Sequence, residues 1–155
     1  MALNAALISA LGELPALLRY CQDDYWIISS AAVALHIQQD IGAADIDLLV
    51  SRADGHKLMQ QYRLTNQADQ RHALFRSSLL LQYHGFALPV EIMAELTVKS
   101  GSGWQPIRPQ SRQQIMTGAN FFFLPDREEL AKMLACFGRP KDLERLDLLA
   151  AYRPF

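Results

Sequence analysis

The chain has 155 residues, half of them apolar and a fifth charged, a profile that excludes a disordered segment and fits one ordinary globular domain. Its formal net charge of −1 excludes a general nucleic-acid packaging role, though not a local basic patch. No stretch reaches the ~18 uncharged apolar residues a bilayer span needs, Met1-Ala2-Leu3-Asn4 makes a poor signal peptide, and Cys21 and Cys136 lack metal-ligand spacing, so the expectation is a soluble cytoplasmic protein with reduced thiols.

In chain order, Ala5 to Tyr20 places Leu7, Leu11, Leu14, Leu17 and Leu18 at helical spacing, with Pro15 expected to kink or split the helix. Tyr25 to Ile28 is a short β-prone run, followed by Ser29-Ser30 as an expected N-cap and a helix over Ala31 to Gln39. Asp45 to Val50 alternates as a strand, and Ala53 to Tyr62 reads as a helix begun by Ser51 or Asp54. Three β-like runs follow, Ala73 to Arg76, Ser78 to Tyr83 and Phe86 to Met93, with His84-Gly85 as a hairpin turn between the last two. Gly101-Ser102-Gly103 is a break, and Trp104 to Ile107, Gln114 to Thr117 and Phe121 to Leu124 are short strands or core segments. Asp126 caps a helix to about Phe137, Gly138 stops it, and Pro140 opens a last helix through Tyr152. The order is a helix, a mostly β middle and a closing helical hairpin, an α+β arrangement without internal repeats or a domain linker.

The chemistry concentrates in three acids. Residues two apart on a strand point the same way, about 6.6 Å apart at ~3.3 Å per residue. Asp45 and Asp47 therefore aim two carboxylates at one spot, with Ile46, Leu48 and Val50 on the other face. Burying Val90 and Ile92 turns Glu91 toward the opposite sheet face, where it can join them. Such a cluster needs an offsetting charge, and hard oxygen ligands favour Mg²⁺ or Mn²⁺. Spacing alone leaves open that the three acids merely decorate a solvated sheet face.

The run Ile27-Ile28-Ser29-Ser30-Ala31-Ala32-Val33-Ala34-Leu35-His36, then Ala44-Asp45-Ile46-Asp47-Leu48-Leu49-Val50, then Pro89-Val90-Glu91-Ile92-Met93, resembles the signature of the polymerase-β-type nucleotidyltransferase superfamily. The tail from Glu129 through Leu143 resembles the closing helices of small bacterial nucleotidyltransferase-like proteins, some of them in toxin–antitoxin systems. The resemblance implies a mixed β-sheet packed with helices and metal-dependent transfer of a nucleoside monophosphate from a nucleoside triphosphate to an acceptor hydroxyl, with release of pyrophosphate. Asp45 and Asp47 would hold Mg²⁺ or Mn²⁺ on the triphosphate, Glu91 would complete a second metal site or act as base, and Ser29 and Ser30 would hydrogen-bond the phosphates. The implied partners are the nucleotide, an acceptor that is a small molecule, a protein or RNA, and in the toxin–antitoxin case a protein partner.

Two departures bear on this. Serine stands at position 29, where the family carries glycine, so its Cβ hinders close approach to the phosphates; restoring glycine is expected to lower stability slightly by loosening the unfolded chain. Leu134 aligns with a lysine frequent in such relatives, and Lys132 lies about 200° away around the helix. Both favour an alternative, a catalytically inactive binding module of the same fold. Arg139 and Lys141 flank Pro140 and are read as phosphate or acceptor contacts, against a solvated helix junction; Asp142 is read as a cap, with pairing to either cation as the alternative. His36 is read as a satisfied structural histidine, and no histidine spacing supports zinc.

Overall fold

The computed structural model describes residues 3–152, so Met1 and Ala2 of the terminus read above lie outside it. Helix α1 (Ala5–Leu18) is capped by Asn4, whose side chain accepts the Leu7 N–H at 2.7 Å, and it buries Leu7, Ala10, Leu11, Leu14 and Leu17. Pro15 does not split it, because that apolar stripe continues against the core on both sides of the proline.

A four-stranded mixed sheet carries the molecule. Its order is β1 (Trp26–Ile28), β2 (Ile46–Val50), β5 (Val90–Ala94), β4 (Leu79–Tyr83), and only the β2–β5 pair is parallel. Period-two alternation splits its faces. Ile27, Ile46, Leu48, Leu81, Val90 and Ile92 enter the main core with α1, α2 (Ser29–Ile37) and parts of α4 (Arg127–Phe137) and α5 (Pro140–Ala151). On the opposite face Ile28, Leu49 and Met93 join Leu96, Val98, Met133 and Phe137 in a smaller cluster. Helix α3 (Arg52–Tyr62) crosses from β2 toward β4, with the Ser51 hydroxyl accepting the Asp54 N–H as expected.

A second small sheet, β3 (Phe75–Arg76), β6 (Thr97–Ser100) and β7 (Gly103–Pro106), covers that smaller cluster, and β8 (Gln113–Thr117) pairs with β9 (Asn120–Leu124). Strand β6 escapes sequence reading because only Val98 of its four residues is buried; the Gly101 break is the turn joining it to β7. The expected strand Phe86 to Met93 begins only at Val90. Residues 84–89 form a longer connection in place of a two-residue turn, with the Tyr83 ring packed on Gly85, where a Cβ would collide with the Tyr83 ring and hydroxyl. The closing hairpin is as read: Asp126 accepts the Glu129 N–H, Gly138 ends α4 at φ +68, and Pro140 opens α5. Among the described residues no helix is long and apolar enough to cross a membrane.

Candidate active site

Strand register assembles the three acids. Asp47 on β2 is the direct partner of Glu91 on β5, and Ile28 at the end of β1 is its partner on the other side. Asp45 sits in the bend just before β2, one residue outside the strand expected for it, and the adjacent Ile46 N–H donates to the Pro89 carbonyl at 2.9 Å. That bond fixes the entry of β2 beside the entry of β5. One carboxylate oxygen from each of Asp45, Asp47 and Glu91 lies within 4.8 Å of the others.

Three ionised carboxylates at that separation repel by about 3.5 kcal/mol per pair at an effective dielectric of 20. Two of the three acids bind their protons more tightly in consequence of burial and this repulsion. Burial, reinforced by Asp45 and Glu91, pushes the Asp47 carboxyl up to about 8, against a Ser29 hydrogen bond and the Lys141 charge. Burial and then Asp45 push Glu91 up, against Lys141, Arg139 and a hydrogen bond from Gln82. An all-oxygen donor set of this density has the chemistry of a hard divalent-cation site.

The serine turn differs from its expected form. Helix α2 begins at Ser29, two residues before the expected Ala31; its N-cap is Ile28, and no side chain caps it. The hydroxyls are engaged elsewhere. Ser29 hydrogen-bonds Asp47, and the Ser30 Oγ accepts from Arg145 Nε at 3.2 Å. Ser29 is buried at φ +59, in the left-handed region that costs a non-glycine residue about 1–2 kcal/mol. The backbone therefore keeps the glycine-type conformation with serine in place. This reverses the stability expected for Ser29→Gly at the backbone level, because glycine relieves the strained dihedral.

The start of α5 and the residue that caps it supply the positive charge. Arg139 pairs with Asp142 through Nε at 2.6 Å and Nη2 at 3.0 Å, while Asp142 also accepts the Arg139 N–H, so pairing and capping occur together. The Lys141 charge acts on both Asp47 and Glu91, and Arg139 acts on Glu91. Leu134 is no gap in the site: it is fully buried in the main core, and Lys132 pairs with Glu128 in solvent. His36 is structural as read, buried with Nε2 2.8 Å from the Pro125 carbonyl and its pKa lowered chiefly by that burial.

Sequence reading missed two residues. Gln82 is the register partner of Glu91 and bonds its carboxylate; alternation along β4 places it on that face, but only the pairing puts it there. Arg145 has the signal of lying four residues after Lys141, on the same face of α5. Beside the acids opens a cavity of about 210 Å³, reached by Ser29, Asp47 and Glu91 and floored by the smaller apolar cluster.

No family model matches the chain, and neither does any curated protein. Solved structures do resemble it. A candidate nucleotidyltransferase from Thermotoga maritima superposes with TM-score 0.67 at 14% identity, over 92% of this chain and 93% of the other. The lincosamide antibiotic adenylyltransferase LnuA, in its lincomycin-bound form, gives TM-score 0.61 at 13% identity, over 98% and 99%. The antibiotic-resistance factor ANT(2'')-Ia gives 0.61 at 10% identity, over 93% and 82%. With its mixed sheet and its closing helical hairpin, the chain has the nucleotidyltransferase fold of these structures.

Proposed function

We propose that this protein transfers a nucleoside monophosphate from a nucleoside triphosphate to an acceptor hydroxyl, in a reaction that depends on Mg²⁺ or Mn²⁺. The observation that carries the proposal is the convergence of Asp45, Asp47 and Glu91 within 4.8 Å beside the start of α2. Asp45 and Asp47 would hold the cation, with Glu91 at its edge. When bound, the cation neutralises the triphosphate and the carboxylates that otherwise repel one another.

The residues of the chain account for the rest. The free N–H groups at the start of α2 offer a phosphate cradle, to which Lys141 and the Ser30–Arg145 pair add charge. Glu91, with its raised proton affinity and its carboxylate oriented by Gln82, is placed to take the acceptor's proton. The acceptor oxygen then bonds to the α-phosphorus as the bond from that phosphorus to the bridging oxygen breaks, and pyrophosphate carries away the electron pair. The positive φ of Ser29 supports an active enzyme over a decayed module, since the turn geometry is retained.

The test is incubation with α-labelled ATP, GTP, CTP and UTP, Mg²⁺ or Mn²⁺, and a mixed acceptor pool. Labelled acceptor and pyrophosphate should form, and Asp47→Asn should abolish both. Nucleotide binding without pyrophosphate release under any of these conditions would establish the inactive binding module instead.

A further inference from the structure

The structure assigns the cavity beside Glu91 to the body of a small, neutral, largely apolar alcohol, the acceptor of the proposed transfer. The assignment rests on that reading and narrows its acceptor to one chemical class.

The site is polarised. Asp47, Glu91, Ser29 and Arg139 reach the cavity, whereas Asp45, Ser30, Lys141 and Arg145 do not. Lys141, Arg145 and Ser30, suited to phosphate, thus lie away from the cavity, with Ser29 and Arg139 at the boundary between the two sides. In phosphoryl-type transfer the attacking and leaving oxygens lie roughly in line through phosphorus. Pyrophosphate held over α2 and α5 therefore puts the attacking oxygen on the opposite side, next to Glu91 and at the mouth of the cavity.

The lining sets the chemistry of what fills it. Leu80, Met93, Leu96, Phe75 and Phe137 present carbon, and at about 210 Å³ the space holds one ring-sized group. Three of the charged groups on its rim have partners outside it. Arg139 pairs with Asp142 at 2.6 Å, Asp69 pairs with Arg71 at 3.3 Å, and the Arg76 guanidinium stacks on Trp104 at 4.0 Å. Cations do not outnumber acids on this lining, Arg76 and Arg139 standing against Asp47, Asp69 and Glu91, which favours an uncharged body over an anion.

Methyl NMR of carbon-13-methionine-labelled protein tests this, with benzyl alcohol and cyclohexanol as probes at millimolar concentration. Both alcohols should shift the Met93 methyl and leave that of Met116, which is exposed on β8, in place. Leu80→Trp, which fills the cavity, should weaken binding by at least about tenfold, and the milder Leu80→Phe should weaken it by a smaller factor. Mg²⁺ with α,β-methylene-ATP should bind together with the alcohol. Alcohols that fail to move Met93, or that bind both Leu80 variants as well as wild type, would overturn the assignment. Displacement of the alcohol by the nucleotide analogue would also overturn it, by making the cavity a nucleoside site. If the alcohols bind Met93 and lose affinity in the Leu80 variants while the nucleotide analogue does not bind, the cavity stands as an alcohol site and it is the transferase reading that fails.

Discussion

Neutralising Asp47 should make the cation-free protein more stable at neutral pH and remove a large part of its pH dependence. The Asp47 carboxyl moves from an ordinary 3.8 to about 8 on folding, driven by burial and then by Asp45 and Glu91. Between those values the native state holds a proton the unfolded chain has lost. The stabilisation is therefore full below about pH 4 and is lost as pH rises through about 8, at about 1.4 kcal/mol per pH unit. Glu91, also raised, acts with the same sign, whereas buried His36, lowered, acts oppositely and cancels when wild type is compared with Asp47→Asn. From pH 6.5 to 7.5 wild type should lose about 1.4 kcal/mol more than Asp47→Asn, or roughly 3–5 °C in melting temperature for a chain of this size. Urea unfolding at the two pH values, with cation removed by chelator, measures it. Equal pH slopes in the two proteins would show that burial and the neighbouring acids do not hold Asp47 protonated, which would refute the raised proton affinity.

Three further outcomes follow from particular contacts. Ser29→Gly should be more stable than Ser29→Ala by about 0.5–1 kcal/mol, since both lose the hydroxyl bonded to Asp47 but only glycine relieves φ +59; thermal unfolding compares them. Leu134→Lys, which introduces the lysine of related sequences, should destabilise by about 3–5 kcal/mol and restore nothing, because it buries an unpaired charge in the core; chemical unfolding reads it. Arg145→Met should weaken ATP binding about tenfold while Mn²⁺ affinity in the absence of nucleotide stays within twofold, as calorimetry would show; equal losses of both would mean that Arg145 supports the acids and not the phosphates.

The acid-bearing face was legible because alternation is a local signal: Ile46 and Leu48 going inward force Asp47 outward, and Val90 and Ile92 do the same for Glu91. The helix ends at Asp126, Gly138 and Pro140 were legible for the same reason, their capping chemistry lying within a few residues. What stayed hidden depends on distant pairing. The parallel β2–β5 register that sets Asp47 beside Glu91 joins residues 44 positions apart, and the Ser30–Arg145 contact joins residues 115 apart. The serine hydroxyls were misassigned as caps because Ser29 and Ser30 met stronger partners, a carboxylate and a guanidinium, that no local pattern announces. Strand β6 and the 84–89 connection were missed because a half-exposed strand and an aromatic-rich loop carry little period-two contrast.

The central claim is that Asp45 and Asp47 bind a divalent cation together with a nucleoside triphosphate. It is tested most directly by the melting temperature of wild type and of the Asp45→Asn, Asp47→Asn double variant, each with and without Mg²⁺ and α,β-methylene-ATP. At ligand about 100 times its dissociation constant, wild type should gain about 2.7 kcal/mol, some 5–11 °C, from cation and nucleotide together, more than from either alone. The double variant should show no cation-dependent gain. An equal cation-dependent gain in the double variant would place the ligand elsewhere and contradict the account.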